Sequence, residues 1–598
     1  MYIRRAAADE LAAIMHEGVS LSSAAMEGMR REAAGPWGAA FDAVNKPIDK
    51  NKVLAFLLSG EYRTSENARA HVLHECEKQG VFFNNAETAA VEGHYAVSKS
   101  QYNEALRFFR AFMENGKWPG HAPALFIKYP ELINDLGRVF QYTASANEGL
   151  DLFLSWERNL PYYTSNDIKY RLNFFAARIA RQRGRLDQCY PLFEKARLFA
   201  PGSEQADACI WYILDSSVRG SASIFTERLE KYIPHLHSMD SINDVLEKQL
   251  RELVSRKEWS SIIRVLAVIN EQGAREHELL AGYAWIMARA IEEGYLSSGD
   301  RQLAAQALNT APSALSAAAF YRMAYNAGDS QRSSALYYRW KSAEFLGEPF
   351  LVFAENHASS EIGVSPAWQF ILGFIINGVP EYAFSHIRQM EKELTIPELR
   401  VAAQALAHSG MYVQTIRLAN LYTNREGYIR DRRDMELLYP RPHNELVERY
   451  AHQAGIAPSL LFALIRTESA FQSAVVSRSG AVGLTQLMPA TARDTADRMR
   501  RAGNFDYTAN LDLTDPGINI HIGSYYFNYL MGRFNDPLLA LLSYNGGMNR
   551  VRRWKAESPF PSDIFAETIS IAETRDYGRK VLAAAAMYEA LYYNKSGQ

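Results

Sequence analysis

Residues 1–362 contain a nearly unbroken succession of amphipathic segments joined by short turns. Within each segment apolar residues recur at spacings of three and four, which places them on one face of a helix and predicts that this face is buried. No stretch of any length alternates apolar and polar residues as a half-buried strand does. The sequence therefore predicts an all-α chain.

Parts of this region have the pattern of a helical hairpin. Residues 95–116 and 176–202 each combine a small residue on a first helix, a turn, and a stripe of aromatic residues and Ala on a second helix. Residues 318–340 fit the same scheme. This pattern resembles tetratricopeptide repeats, which stack into curved solenoids because each hairpin is rotated slightly on the last. We expect a degenerate α-superhelical domain over residues 1–362; the irregular period does not determine whether it closes into a ring.

The rest of the chain is expected to form two further domains, because 598 residues are too many for one hydrophobic core. Residues 363–437 carry short helical segments interrupted by proline and glycine, which predicts a helical linker domain. Residues 438–598 form the predicted C-terminal domain. With 48% hydrophobic and 22% charged residues, the composition is that of a globular protein.

Charge and hydropathy argue against nucleic-acid binding and against a membrane-spanning helix. The formal net charge of −2 argues against nucleic-acid binding, which usually requires a strongly basic surface. No stretch approaches the roughly 18 apolar residues of a membrane-spanning helix. Arg4 and Arg5 are not followed by an uninterrupted apolar stretch, so a secretory signal peptide is not expected in the sequence as given.

The three cysteines, Cys76, Cys189 and Cys209, have neither the number nor the spacing of a disulfide framework or a metal site. Cys189 and Cys209 could meet across a helical hairpin, but buried thiols are the expected state. No metal ion or cofactor is expected.

One carboxyl group is placed where a solvated acid should not be. Pro458 suits a first helical turn, so we expect a helix from there to about Phe471. On it, Leu461, Leu464 and Glu468 share one face, and Glu468 therefore projects from the apolar stripe. A buried carboxyl tends to stay protonated near neutrality, as a general acid in a glycosidase must. The alternative is a core Glu paired with a distant Arg.

Further residues downstream form a set with Glu468. A Gly-rich loop over residues 477–483 is followed by Gln486 and by Met-Pro at residues 488–489. Later come Ser-Tyr-Asn-Gly-Gly at residues 543–547 and Glu-Thr-Arg-Asp-Tyr at residues 573–577. In order, spacing and chemistry this set resembles the catalytic domain of the soluble lytic transglycosylases, which is similar to goose-type lysozyme.

The resemblance covers roughly residues 438–598 and implies a reaction. In this family a single acid, here Glu468, protonates the bond between N-acetylmuramic acid and N-acetylglucosamine in peptidoglycan. The 2-acetamido group of the sugar is thought to stabilise the cationic centre. The same Glu then takes the proton of the sugar's C6 hydroxyl, which attacks C1 and leaves a 1,6-anhydro end without using water.

The other motif residues are implied to bind the glycan. Ser477 is expected to hydrogen-bond near Glu468 and orient it, Tyr544 to supply a hydroxyl near the reacting sugar, and Asn545 to hold the following turn. Glu573 is implied either as a supporting carboxylate or as a structural partner of Arg575 or another neighbour. The remaining cleft residues implied by the resemblance are Gly483, Gln486 and Met488.

Small departures from the family pattern bear on the cleft. Thr485 stands where the family usually has Met, and Gly546 replaces Ala. We expect Thr485 to line the cleft and to affect substrate preference. Residues 325–328, Tyr-Asn-Ala-Gly, match the family's Tyr-Asn-Ala-Gly motif better than residues 544–547 do. They precede Glu468, however, and fall where a hairpin turn is due, so we interpret them as a helix C-cap.

Two other functions stay open. A hydrolytic muramidase or chitinase is the first alternative. It would be favoured by a second, sheltered carboxylate that activates water, but no motif fixes one beside Glu468. A catalytically silent peptidoglycan-binding scaffold is the second. The resemblance also implies a periplasmic location, glycan strands as the ligand, a monomeric chain, and possible cell-wall enzyme partners bound through the superhelical domain.

Overall fold

The computed structural model describes residues 50–58, 76–77, 80–271, 278–328, 333–353, 365–425, 428–507 and 511–593. The N-terminal segment considered above for a signal peptide lies outside these residues. The described residues form helices and isolated bridges, with no strand among them, so the predicted all-α class is confirmed. The chain divides into two compact units, Met1–Val245 and Leu246–Gln598.

The first unit is a series of short helices, most of which pack against the next ones in the sequence. Their bounds are α1 Lys50–Leu57, α2 Asn85–Ser98, α3 Tyr102–Phe109, α4 Ala124–Lys128, α5 Glu131–Tyr142, α6 Ala146–Arg158, α7 Asn166–Gln182, α8 Leu186–Leu198, α9 Ser203–Asp215 and α10 Ala222–Tyr232.

The hairpins predicted at residues 95–116 and 176–202 are present as α2–α3 and α7–α8. Their small residues have a packing role, as Gly93 on α2 illustrates. A Cβ added there would lie 2.8 Å from the Phe109 ring of α3, so only a glycine lets this ring pack against the α2 backbone. Packing between consecutive hairpins is what an α-superhelical stack requires.

The second unit begins within α11 and contains the remaining helices. Their bounds are α11 Asn243–Arg256, α12 Trp259–Glu271, α13 Glu278–Glu292, α14 Ser298–Ala307, α15 Ala317–Ala327, α16 Ser333–Leu346, α17 Pro366–Ile376, α18 Pro380–Gln389, α19 Ile396–His408, α20 Tyr412–Thr423, α21 Arg432–Leu438, α22 Asn444–Ala454, α23 Pro458–Ser469, α24 Pro489–Arg501, α25 Pro516–Phe534, α26 Pro537–Gly546, α27 Met548–Glu557, α28 Ser562–Thr568 and α29 Ala572–Tyr588.

Prolines begin several of these helices, as the sequence indicated. Pro366 and Pro380 are the first residues of α17 and α18, where a missing N–H costs nothing because it would have no helical partner. Asp515 caps α25 by accepting one backbone N–H of its first turn, and Asp536 caps α26 by accepting two. The proposed domain limits at residues 362 and 437 stay predictions.

Helix α29 is the central element of the C-terminal region. It packs against α23, α26 and α28 and also against α16, which precedes the linker segment in the sequence. A helix in contact with so many neighbours is well fixed in position, and it carries the residues 573–577 singled out in the sequence.

The Tyr-Asn-Ala-Gly sequence at residues 325–328 is structural. Tyr325 lies in α15, 9% exposed, and its hydroxyl donates to the Pro349 carbonyl at 2.8 Å while the Arg339 guanidinium lies 4.0 Å from its ring centroid. Gly328 is the C-cap residue of α15. A Cβ there would lie 2.8 Å from the Ala335 carbonyl oxygen, which explains the glycine. The interpretation as a helix C-cap is confirmed.

Two further expectations can be compared with the described residues. Cys189 and Cys209 lie buried, with no disulfide between them. None of the described helices combines the length and the apolar character needed to cross a bilayer.

Candidate active site

Glu468 lies in the last turn of α23, whose other residues are largely buried. Leu461, Leu464 and Ile465 are fully buried on this helix, so the face that the sequence pattern assigned to Glu468 is the core-facing one. The helix ends at Ser469, two residues earlier than expected, because Ala470 and Phe471 both adopt left-handed backbone conformations. The carboxyl therefore projects at the point where the helix stops.

The end of α23 is held in a costly conformation. Ala470 has a φ of 45° and Phe471 a φ of 68°, a region that non-glycine residues rarely occupy. The Ser469 hydroxyl compensates by accepting the Phe471 N–H at 3.1 Å and contacting the Leu484 carbonyl oxygen at 2.8 Å. Ser469 thus ties the helix end to the loop that follows, and strain of this kind is typical of functional sites.

The Glu468 carboxyl has one strong protein partner and little solvent. The Tyr577 hydroxyl of α29 donates to Glu468 Oε1 at 2.6 Å. Burial raises the pKa of the Glu468 carboxyl from 4.5 to about 7, with a smaller rise from the negative charge of Glu573, while the bond from Tyr577 lowers it. Glu468 therefore exists in both protonation states near neutral pH, as a residue that gives and then takes a proton requires.

The loop after α23 folds back on itself. The Ser477 hydroxyl accepts the Ala481 N–H at 2.9 Å and lies 3.1 Å from Ser479 Oγ. Within the described part of the chain, its hydrogen bonds stay inside the loop and do not reach Glu468. The orienting contact expected for Ser477 is thus replaced by a turn-stabilising one.

Gln486 and Met488 lie at the far end of this loop. The Gln486 amide donates to the carbonyl oxygens of Gly483 at 2.8 Å and Val475 at 3.2 Å, and its backbone has a left-handed φ of 48°. Met488 is 42% exposed. Gln486 is fixed by the loop it stabilises, whereas Met488 presents an apolar side chain to solvent, where a ligand can reach it.

Thr485 does not line the cleft as the sequence led us to expect. It is fully buried, and its N–H and hydroxyl both bond to Asn519 Oδ1, at 2.8 and 2.7 Å. Its side chain packs against Gly523, where an added Cβ would lie 2.4 Å from Thr485 Oγ1. The expectation was wrong because the family comparison fixes only a position in sequence, and here that position belongs to a buried polar network.

Gly483 belongs to the same network. It is buried with a φ of 80°, and a Cβ there would lie 2.2 Å from both Asn519 Nδ2 and the Leu513 carbonyl oxygen. Asn519 Nδ2 donates to the carbonyl oxygens of Leu513 at 2.8 Å and Val482 at 3.0 Å. The groups that approach the Gly483 backbone closely are thus Asn519 and Leu513 of the protein itself.

Tyr544 and Asn545 lie at the end of α26, beside α29. The Tyr544 hydroxyl donates to the Thr485 carbonyl oxygen at 2.7 Å. Burial, and after it the charge of Glu468, raise the pKa of Tyr544 well above its usual value, so the phenol keeps its proton. Asn545 accepts a hydrogen bond from the Thr574 hydroxyl at 2.8 Å and so links α26 to α29.

Glu573 is exposed in the first turn of α29, four residues before Tyr577 and on the same face. The expected structural alternative, a pair with Arg575, does not form. The Arg575 guanidinium lies 3.7 Å from Glu247 and from Asp576 and donates to the Ile569 carbonyl oxygen at 3.0 Å. The effect of Glu573 on Glu468 is that of its negative charge, which raises the pKa of the Glu468 carboxyl.

The roles of Tyr577 and Asn519 were not predicted from the sequence. Tyr577 is 109 residues from Glu468 in the sequence, and only its place four residues after Glu573 on one helix face could have indicated it. Asn519 follows the helix cap Asp515 by one turn and is a fully buried amide, but the sequence pattern does not show where such an amide finds its partners. Within the described residues no group of three or more His, Cys, Asp or Glu side chains is arranged to hold a metal ion.

The C-terminal region is similar to known proteins. Residues 445–564 match the family model described as the transglycosylase SLT domain. The soluble lytic murein transglycosylase of Salmonella typhimurium (strain LT2) is 37% identical over 167 residues, which are 27% of this chain and 25% of that protein. The Escherichia coli K12 enzyme of the same name is 38% identical over 157 residues, which are 26% of this chain and 24% of that protein. The similarity thus spans about a quarter of the relatives' length.

Two solved structures align over nearly the whole chain at low similarity. The 70-kDa soluble lytic transglycosylase of E. coli aligns over 98% of this chain and 96% of its own, with 17% identity and a TM-score of 0.46. The lytic transglycosylase Slt of Pseudomonas aeruginosa aligns over 98% of this chain and 95% of its own, with 19% identity and a TM-score of 0.45.

Proposed function

We propose that this chain, which carries the catalytic domain of the soluble lytic transglycosylases, cleaves the β-1,4 bond between N-acetylmuramic acid and N-acetylglucosamine in peptidoglycan and leaves 1,6-anhydro ends. The observation that supports this most is Glu468, a single sheltered carboxyl with a pKa of about 7 that is bonded to Tyr577. One group that both donates and accepts a proton suits a reaction in which no water is activated.

The proton moves in two steps on one carboxyl. Glu468, protonated, donates to the glycosidic oxygen as the bond to C1 breaks, so the leaving sugar departs as an alcohol. The resulting carboxylate is stabilised by the hydrogen bond from Tyr577. It then accepts the proton of the C6 hydroxyl as that oxygen bonds to C1, which restores the acid. Attack within one sugar has a high effective molarity, so the substrate supplies its own nucleophile.

The hydrolytic alternative requires a second carboxylate that activates water. Glu573 is the candidate for that role, since its charge acts on Glu468. Its exposure in the first turn of α29 argues against it, because a base that activates one water molecule is better sheltered from the rest. We further propose that the enzyme is a periplasmic monomer with domains at residues 1–362, 363–437 and 438–598. It acts on peptidoglycan glycan strands, and its superhelical domain binds other cell-wall enzymes.

The product distinguishes the transglycosylase from the hydrolase. Purified peptidoglycan is digested with the protein, and the released muropeptides are analysed by mass spectrometry. We expect anhydro products, which are lighter by one water than the reducing-end products of a hydrolase. Reducing ends as the main product would support a hydrolase instead, and intact peptidoglycan would support a binding scaffold.

Tyr577→Phe and Glu573→Gln should shift the pH dependence in opposite directions. Activity falls as pH rises through the pKa of the acid, so the alkaline limb of the rate profile reports Glu468. Loss of the Tyr577 hydrogen bond should move this limb up by about one pH unit, since a bond to a charged group is worth roughly 1.5 kcal/mol. Loss of the Glu573 charge should move it down.

The limb is measured from kcat/KM between about pH 5 and 10, a range that extends to both sides of the raised pKa of about 7. An alkaline limb at the same pH in both variants and in the wild type would contradict the assignment of Glu468 as the titrating group. The two substitutions control for each other, because general damage to the active site would shift both limbs in the same direction.

A further inference from the structure

The first half of α29 presents two different faces. Glu573 and Tyr577, four residues apart, lie toward Glu468. Arg575 and Arg579, also four residues apart, lie on another face and are 4% and 3% exposed. Arginine is rarely buried to this extent unless its charge is paired, so the second face must be held by specific partners.

Arg579 has such partners on three other helices. Its Nη1 donates to the Tyr338 hydroxyl of α16 at 2.7 Å and to Glu567 Oε2 of α28 at 3.4 Å. Asp576, one turn earlier on α29, accepts from Nη2. Glu247 of α11 lies 3.8 Å from the guanidinium. The guanidinium therefore connects α29 to three helices that precede it in the sequence.

This cluster tolerates little displacement. Tyr338 and Glu567 are each 4% exposed, so water cannot replace a lost protein partner. Arg579 Nε and Glu567 Oε1 are already buried without a hydrogen-bond partner. A rotation of α29 that broke the remaining bonds would leave a buried charge uncompensated, which is strongly unfavourable. At Arg579 the cluster thus fixes the rotation of α29 about its axis and its position along that axis.

Arg579 lies two positions after Tyr577, which is a rise of about 3 Å along a rigid helix. The position of the Tyr577 hydroxyl is therefore set by the same contacts that hold Arg579. We propose that Arg579 is a positioning residue for the cleavage reaction, and that the Tyr338 hydroxyl of α16 holds it so that Tyr577 stays in hydrogen-bond contact with Glu468. The proposal rests on the function proposed above for Glu468.

This proposal gives a helix before the linker segment an indirect part in catalysis, through the position of Tyr577. Tyr338 precedes Glu468 by more than a hundred residues and touches neither Glu468 nor Tyr577 in the described structure. Tyr577 and Glu573, both from α29, act on the pKa of Glu468. Of these, Tyr577 is the one whose hydrogen bond to Glu468 depends on the rotation of α29 that Arg579 fixes.

The test is Tyr338→Phe, with Tyr337→Phe as the matched control. Phenylalanine keeps the ring contact with Trp285 and removes the oxygen that accepts from Arg579. Tyr337 is equally buried in the same helix and packs against Trp285 and Trp340. We expect Tyr338→Phe to move the alkaline limb of kcat/KM upward by about half a pH unit, the direction of a weakened bond from Tyr577. Tyr337→Phe should leave the limb in place.

A readout without activity separates this proposal from the proposed function. Carbon-13 titration of the glutamate carboxyls gives the pKa of Glu468 directly, its signal being assigned by its absence in Glu468→Gln. We expect Tyr338→Phe to raise this pKa, and to raise it no further once Tyr577→Phe is present, because the effect passes through Tyr577. A Tyr338→Phe shift of unchanged size in the Tyr577→Phe background would overturn the proposal, as would an unmoved pKa in a folded Tyr338→Phe protein. Reducing-end products with a shifted pKa would overturn only the proposed reaction.

Discussion

Glu468→Gln should abolish turnover and at the same time stabilise the folded protein at alkaline pH. The amide cannot give or take the proton, and general acid–base participation is worth typically about 10²–10⁴-fold in rate. Glutamine keeps an oxygen that can accept the hydrogen bond from Tyr577. The structure around the site should therefore persist while the chemistry is lost.

The stability gain follows from the raised pKa. In the unfolded chain the carboxyl ionises near its ordinary value of 4.5, whereas in the folded protein it does so at about 7. Below the lower value both states are protonated and the group costs nothing. Between the two values the carboxyl is ionised in the unfolded chain but still protonated in the folded protein, so the free energy of unfolding falls as pH rises. Above the upper value the carboxyl is ionised in both states, and the full penalty of burying the charge remains, roughly 3 kcal/mol. Stability contributed by this group is thus lost as pH rises through about 7.

The measurement compares melting temperatures of Glu468→Gln and wild type near pH 4 and near pH 9, on either side of the two pKa values. We expect little difference at the acidic pH and a higher melting temperature for the variant at the alkaline one. Glu445→Gln, a change at an exposed carboxyl in α22, is the matched control and should show no such gain. Retention of more than about a tenth of the wild-type rate would contradict the role of Glu468 as the acid.

The placement of Glu468 could be predicted from sequence because it depends on contacts within one helix. Apolar residues at helical spacing define the buried face, and Glu468 belongs to that face whatever surrounds the helix. The end of the same helix could not be predicted to the residue. Ala470 and Phe471 take left-handed conformations without the glycine that usually marks them, because contacts from the following loop compensate the strain.

Residues defined by tertiary contacts were harder to assign. Tyr577 was part of a recognised motif, yet its bond to Glu468 exists only because α23 and α29 pack together. Thr485 was assigned to the cleft by position in the motif, but its partner Asn519 lies 34 residues away and draws it into the core. Arg579 gave no signal, since a buried arginine and a solvated one look alike in a single sequence.

Gly483→Ala should destabilise the C-terminal region severely, whereas Gly480→Ala should be tolerated. Both glycines have left-handed backbones, with φ of 80° and 87°. This conformation costs an alanine about 1–2 kcal/mol at either position. At Gly480 nothing lies within 4 Å of the added Cβ, so this cost is the whole effect. The pair thus separates backbone strain from steric conflict within one loop.

At Gly483 the new methyl group would lie 2.2 Å from Asn519 Nδ2 and from the Leu513 carbonyl oxygen. Neither can move easily, since the Asn519 amide is held by Thr485, Val482 and Leu513 itself. Overpacking of this kind adds roughly 1–3 kcal/mol or more, and a displaced Asn519 would leave buried polar atoms unpaired. We expect a loss of stability of at least about 3 kcal/mol for Gly483→Ala, seen as a lower melting temperature and as protease sensitivity of residues 438–598.

This comparison also decides why a glycine stands at position 483. If the position serves only close approach of a glycan, Gly483→Ala should weaken substrate binding and leave the melting temperature near that of Gly480→Ala. If Asn519 is the reason, stability falls first, and activity falls because the loop no longer presents the Thr485 carbonyl oxygen to Tyr544. The second outcome is expected, because both contacts that exclude a side chain at Gly483 come from the protein itself.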